Sequence, residues 1–190
     1  MVYLALSNRR SLYMARTEID VNPVFHITID AIGKPGQRVF YIQGWQSDTQ
    51  VITLILEKAQ VQTLALGIEQ FLAEVQQKYP DLTEASSEYD ESKMKISPPV
   101  DPLYRVGELG LAYDADQDKL VLVAREILIE GVEPEEVGLV RFWCSRSQTR
   151  AMATWGLEVT KRGRQICPQC GEPMDPEGHF CPKKNGHNRN

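Results

Sequence analysis

Four side chains near the C-terminus have the types and spacing of a metal site. The thiols of Cys167 and Cys170 stand three positions apart, and His179 and Cys181 follow about ten residues later. Zinc in proteins prefers a tetrahedral set of thiolate and imidazole ligands, so the pattern predicts a zinc ion held by these four side chains. His187 is an alternative fourth ligand. The shorter loop that ends at His179 costs less entropy to close and favours His179.

The ligand set also predicts the role of the metal. An imidazole interrupts what would otherwise be a four-cysteine set, which makes an iron site less favourable than zinc. Four protein ligands leave no open position for a substrate or an activated water. A segment this short cannot bury a core of its own, and a structural zinc ion supplies the missing folding free energy, on the order of 10 kcal/mol. The sequence therefore predicts a structural zinc knuckle.

Size and charge restrict what the rest of the chain can be. The 190 residues are 42% hydrophobic, which suffices for one globular domain and a small appendage. The net charge is −5, whereas a nucleic-acid footprint over the whole body would require an excess of basic residues. Residues 161–190 carry a formal charge of +3. The basic excess therefore surrounds the predicted metal ligands.

The expected compartment follows from segments that the sequence lacks. No run approaches the roughly 20 apolar residues of a membrane-spanning helix. The first residues do not have the three-part pattern of a signal peptide. We therefore expect a cytoplasmic protein, where cysteines stay reduced and where a cysteine cluster favours a metal over disulfides.

Hydrophobic periodicity predicts an α+β fold made of two β-β-β-α halves. In the first half, three strands precede a helix whose apolar residues recur at steps of three and four. The second half repeats this order, with a helix that Ser145 or Ser147 caps and Gly163 ends. The repeated order suggests an internal duplication. The predicted strands are 24–30, 38–43, 51–56, 104–113, 119–128 and 137–143, and the predicted helices are 57–79 and about 146–162.

These elements divide the chain into three parts. Residues 1–23 form an N-terminal extension that packs loosely, and residues 24–163 form the α+β body. Within the body the halves 24–79 and 104–163 are joined by a linker, 80–103, that has too little apolar surface to order itself. Residues 164–190 form the zinc knuckle.

Few residues of the body suggest chemistry. Arg38, which follows Gln37, and Arg105 are predicted to begin equivalent strands of the two halves, and their guanidinium groups could face one groove and bind a carboxylate or phosphate bidentately. Solvated arginines at strand ends are the simpler interpretation. His26 is the only histidine of the body, and its position on the polar side of a strand indicates a surface residue. Cys144 follows an apolar strand and is expected to be a buried core thiol.

The resulting functional hypothesis is a binding or interaction protein. Its zinc knuckle would present a small basic surface, in the C-terminal region, to a partner protein or nucleic acid. The alternative is an enzyme or a binder of small anionic ligands that uses Gln37, Arg38 and Arg105 in a groove between the halves. The sequence leaves open whether the chain is an enzyme.

Several motifs resemble those of an uncharacterised bacterial family, domain of unknown function 3090. The similarity runs from about residue 25 to the C-terminus. It rests on Gly36-Gln37-Arg38, on Leu111-Ala112-Tyr113-Asp114, on Cys167-Pro168-Gln169-Cys170-Gly171 and on the stretch from Met174 to Pro182. The resemblance implies a bacterial cytoplasmic protein with a C-terminal metal-binding knuckle. Its Gly-His-x-Cys-Pro element implies that His179, not His187, is the fourth ligand.

Overall fold

A computed structural model describes residues 17–133, 136–174 and 178–183. Within them, seven strands form a single sheet and two helices pack against each other. The elements are β1 (Glu18–Val21), β2 (His26–Ile32), β3 (Val39–Trp45), β4 (Val51–Leu56), α1 (Lys58–Lys78), β5 (Pro102–Asp114), β6 (Lys119–Glu126), β7 (Leu139–Cys144) and α2 (Arg146–Lys161). The predicted α+β class and the two successive β-β-β-α units are confirmed. That the two units arose by duplication stays a prediction.

The strand order is β1-β7-β6-β5-β4-β3-β2. Strands pair antiparallel within each unit, and the units join through the parallel pairing of β4 with β5, where Ile55 lies opposite Arg105. Parallel neighbours need a long crossover connection. The chain between β4 and β5 supplies it, with α1 as its helical part.

The sheet curls so that its two ends approach each other. The short segment between β1 and β2 contacts both ends. The N–H of Val24 donates to the carbonyl of Trp143 on β7 at 3.0 Å, and the N–H of Phe25 donates to that of Trp45 on β3 at 2.7 Å. This curvature encloses the apolar faces of the sheet and the helices in one core.

Helix α2 begins at a well-formed N-terminal cap. The side chain of Ser145 accepts a hydrogen bond from the N–H of Gln148, whose side chain bonds back to the N–H of Ser145. The spacing of apolar residues in α2 predicts burial of Ala151, Met152, Trp155 and Val159; the last three are buried, and Ala151 is partly exposed. The helix packs against α1 and β2. Neither helix in the described part of the chain combines the length and the apolarity that a membrane crossing needs.

Residues 18–21 differ from the loosely packed extension that the sequence suggested. They form β1, which pairs in parallel with β7, and Val21 is buried. Four residues are too few to show a period, so the strand left no pattern to detect. Residues 1–16, the remainder of the expected extension, lie outside the described residues.

Residues 80–101 also differ from the expectation that this segment does not order itself. They contain no helix or strand, yet Ala85 and Met94 are buried in the core. Side chains at alternate positions of β2 hold the segment. The hydroxyl of Thr28 donates to the carbonyl of Met94 at 2.7 Å, and Asp30 accepts from the N–H of Ile96 at 3.1 Å.

Candidate metal centre

The first two cysteines lie on a short hairpin after α2. Ile166 and Pro173 form an isolated antiparallel bridge, and the N–H of Cys167 donates to the carbonyl of Glu172 at 2.8 Å. The N–H of Gly171 donates back to the carbonyl of Cys167 at 2.9 Å. Gly171 has a φ of +80°, which glycine adopts without the steric cost of a Cβ. The tight turn brings the two thiols to the same side of the hairpin.

The four side chains expected to bind metal come together. One ligand atom from each of Cys167, Cys170, His179 and Cys181 lies within 4.8 Å of the other three. The sulfurs of Cys167 and Cys181 are 3.9 Å apart, and the sulfur of Cys170 is 3.1 Å from Nε2 of His179. All three cysteines are free thiols. The group can hold a metal ion.

Local hydrogen bonds favour the thiolate form of Cys167, one of the four candidate ligands. The backbone N–H groups of Cys170 and Gln169 donate to the sulfur of Cys167 and lower the pKa of that thiol to about 6. A thiolate, not a thiol, is the metal ligand, so these bonds favour the ligating form. Cys167 and Cys181 are buried, whereas Cys170 and His179 are partly exposed.

The alternative ligand His187 lies outside the described residues. The four described side chains offer as many ligand atoms as a closed zinc site needs. The choice of His179 over His187 as the fourth ligand stays a prediction.

The predicted anion groove does not form from the two arginines. The Arg38 guanidinium donates to the carbonyls of Val159 (2.9 Å) and Thr160 (3.4 Å) at the end of α2. Arg105 lies within β5, where it forms an ion pair with Glu57. The two residues do not begin equivalent strands, because Arg38 precedes the second strand of its unit and Arg105 lies in the first strand of the other.

Gln37 is exposed in the turn between β2 and β3, where its backbone N–H donates to the carbonyl of Lys34 at 2.9 Å. The cavity that Arg38 lines also contains Lys58 and Arg164, and Arg105 is not part of its lining. Sequence reasoning missed the proximity of Lys58 to Arg38. Only the tertiary packing brings the start of α1 next to the turn before β3.

Cys144 and His26, the other residues of the body that could take part in chemistry, both lie in surroundings typical of residues that stabilise the fold. Burial raises the pKa of the Cys144 thiol to about 12, which leaves it protonated and unreactive, as expected of a core thiol. Nε2 of His26 donates to the carbonyl of Lys93 at 2.9 Å, and the imidazole ring packs on Trp45 with centroids 5.0 Å apart. Burial lowers the pKa of His26.

Comparison with known proteins gives a family but no characterised relative. No curated protein and no solved structure matches the chain. The model of the family described as "Protein of unknown function (DUF3090)" matches residues 20–181. Because this match covers most of the 190 residues, the chain belongs to that family.

Proposed function

We propose that the chain is a cytoplasmic interaction protein whose C-terminal knuckle is built around one structural zinc ion. The observation that carries the proposal is the convergence of the ligand atoms of Cys167, Cys170, His179 and Cys181 within 4.8 Å. In a tetrahedral zinc site with Zn–S bonds near 2.3 Å, two sulfurs lie about 3.8 Å apart. The 3.9 Å between Cys167 and Cys181 fits this geometry.

A structural role is favoured by how little else holds the knuckle together. Among the described residues after Gly163, the buried side chains are those of Cys167 and Cys181. The metal ligands therefore make up most of the interior of this segment. A segment whose core consists of its ligands gains its folding free energy from the metal.

The surface beside the ligands favours a protein partner. Phe180 is 74% exposed and Ile166 is 59% exposed, and both flank the cluster in sequence. Arg164 and Lys183 are also exposed, two residues before Ile166 and three residues after Phe180, and both are basic. Exposed aromatic side chains with basic neighbours are typical of protein interfaces, whereas binding of single-stranded nucleic acid relies on several stacked aromatic residues. The partner would accordingly offer an apolar pocket with acidic residues around it.

Native mass spectrometry with elemental analysis tests the metal. We expect one zinc ion per chain in the wild-type protein and in Cys144→Ser, because Cys144 is a buried thiol outside the cluster. Cys181→Ser should lose the metal at sub-micromolar free zinc. Wild-type protein that is purified without chelators and carries no metal would refute the zinc site.

Two exposed phenylalanines provide a matched test of the interface. Phe180→Ala removes the knuckle side chain and should reduce partner recovery in a quantitative pull-down at least tenfold while zinc content stays unchanged. Phe25→Ala removes a residue that is 68% exposed on the body and should leave recovery unchanged. Equal recovery with both variants would refute the knuckle as the interface. Recovery that nuclease treatment abolishes would indicate a nucleic-acid partner instead.

A further inference from the structure

A small cavity lies where the knuckle joins the body. Its volume is about 270 Å³. The walls come from the turn before β3, from the first residue of α1 and from the hairpin that carries the first two cysteines. It therefore combines three segments that are far apart in sequence.

Three cationic side chains line this cavity, Arg38, Lys58 and Arg164, and none of the described residues that line it is acidic. Among the described residues neither Arg38 nor Lys58 has an acidic partner, and Glu57, the neighbour of Lys58 in sequence, pairs with Arg105 instead. Like charges that share one recess repel each other, and an anion bound there would offset this repulsion.

Two of the cations are held in position by the fold. Arg38 donates to the two carbonyls at the end of α2, and its guanidinium lies 5.1 Å from the ring centroid of Phe40. These contacts fix the side chain without pairing it with a full negative charge. The Arg164 side chain lies against Gly36, where a Cβ would come within 3.2 Å of Nε. Gly36 has a φ of +92°, so glycine both permits the turn and leaves room for Arg164.

The third cation is available for a ligand. In the described part of the chain, the Lys58 side chain has no hydrogen-bond or ion-pair partner. Lys58 is the first residue of α1, a 21-residue helix. The amino end of a helix carries partial positive charge, so a lysine there is unfavourable by itself and adds to the attraction for an anion.

We propose that the cavity lined by Arg38, Lys58 and Arg164 binds phosphate, either as the free ion or as the terminal group of a small monoester. Two guanidinium groups and an ammonium group match the charge and the tetrahedral oxygens of a phosphate dianion better than those of a carboxylate. A volume near 270 Å³ lies below that of typical drug-sized sites and suits a phosphate with a few attached atoms. The cavity shares Arg164 and Ile166 with the surface proposed above as an interface, but the anion-binding proposal does not require that surface to bind a partner.

Amide NMR spectra of the zinc-loaded full chain test the proposal. Inorganic phosphate, glycerol 3-phosphate and acetate are titrated separately at constant ionic strength. We expect saturable shifts of the amides of residues 36–38, 58–60 and 163–166 with the phosphate compounds, and at least tenfold weaker binding of acetate. The compound with the lower dissociation constant, inorganic phosphate or glycerol 3-phosphate, shows whether the ligand is the free ion or a monoester. Shifts that stay linear with concentration, or acetate binding of equal strength, would overturn the proposal.

A matched pair of variants in the same helix assigns the binding to the cavity. Lys58→Gln should weaken phosphate binding about tenfold, because it removes a charge-assisted hydrogen bond. Lys78→Gln makes the same charge change at the opposite end of α1 and should bind as the wild-type protein does. Both residues are exposed, so both variants should keep the dispersed spectrum of the folded protein. Equal dissociation constants for the two variants would overturn the assignment.

Discussion

Gly44 on β3 faces Phe142 on β7, although three strands separate β3 from β7 in the order of the sheet. A Cβ built on Gly44 would lie 2.5 Å from Cε1 of Phe142. Both residues are buried, and Phe142 is fully enclosed by the core. The close approach is possible only because the sheet curls and because position 44 has no side chain.

The first prediction concerns this contact. Gly44→Ala should lower the free energy of unfolding by about 1–3 kcal/mol, because an enclosed aromatic ring has little room to move aside. Gly67→Ala is the control, since a Cβ on this α1 residue meets no atom within 4 Å. That change should be neutral or stabilise by about 0.5–1 kcal/mol through helix propensity. Urea unfolding measures the free energy of unfolding of both variants. An equal change in the two would contradict the close contact between Gly44 and Phe142.

The fold class could be predicted because the main elements carry strong periodic patterns. Apolar residues of α1 at Val61, Leu64, Ile68, Leu72 and Val75 are buried as their spacing indicates. The strand pairing could not be predicted in the same way. Sequence periods do not reveal that β4 and β5 are parallel neighbours, or that the sheet curls until the segment before β2 contacts β7.

The clustering of the four candidate metal ligands was predictable for a different reason. Cysteine and histidine spacing describes ligand chemistry directly and needs no knowledge of the fold. The fixed conformation of residues 93–97, called the strap below, was not predictable from composition. Besides the burial of Met94, it depends on hydrogen bonds from side chains of β2 and β3 to the backbone of these residues, which composition does not reveal.

The second prediction tests the hydrogen bonds that hold this strap. The buried amide of Gln43 donates to the carbonyl of Ser97 at 3.0 Å and accepts from the N–H of Ser97 at 2.9 Å. Gln43→Met keeps the side-chain volume but leaves both backbone groups without these bonds. The free energy of unfolding should fall by about 2–4 kcal/mol, and the Ser97 amide should exchange hydrogen faster.

Gln37→Met is the matched control for this change. Gln37 is exposed, so the same substitution there should alter the free energy of unfolding by less than about 0.5 kcal/mol. Hydrogen exchange of the Ser97 amide should be unaffected. If Gln43→Met leaves that exchange rate unchanged, the strap is held by packing of Met94 and not by the amide.

The third prediction separates the two candidate histidine ligands. His179→Ala should weaken zinc binding by more than about a hundredfold, because it removes one of four ligands. His187→Ala should leave the affinity within a factor of about two. Competition against a chromophoric chelator measures both constants. A reversed result would assign the fourth position to His187.

The fourth prediction concerns the pH dependence of stability. Burial lowers the pKa of His26 in the folded state. The hydrogen bond to the Lys93 carbonyl opposes this shift with a smaller effect, and the positive charge of Lys93 adds a still smaller lowering. The unfolded chain therefore binds a proton more readily than the folded protein at pH values below about 6.5. The contribution of His26 to stability should be complete above that pH and decrease as the pH falls.

Comparison with His26→Gln isolates this effect. Glutamine can still donate a hydrogen bond to the Lys93 carbonyl but does not titrate. The carboxylates and the other histidines are common to both proteins and cancel in the difference. The free energy of unfolding of the wild-type protein, minus that of the variant, should therefore fall between pH 7.5 and pH 5. Parallel stability curves over this range would show that His26 is accessible enough to be protonated in the folded protein without cost.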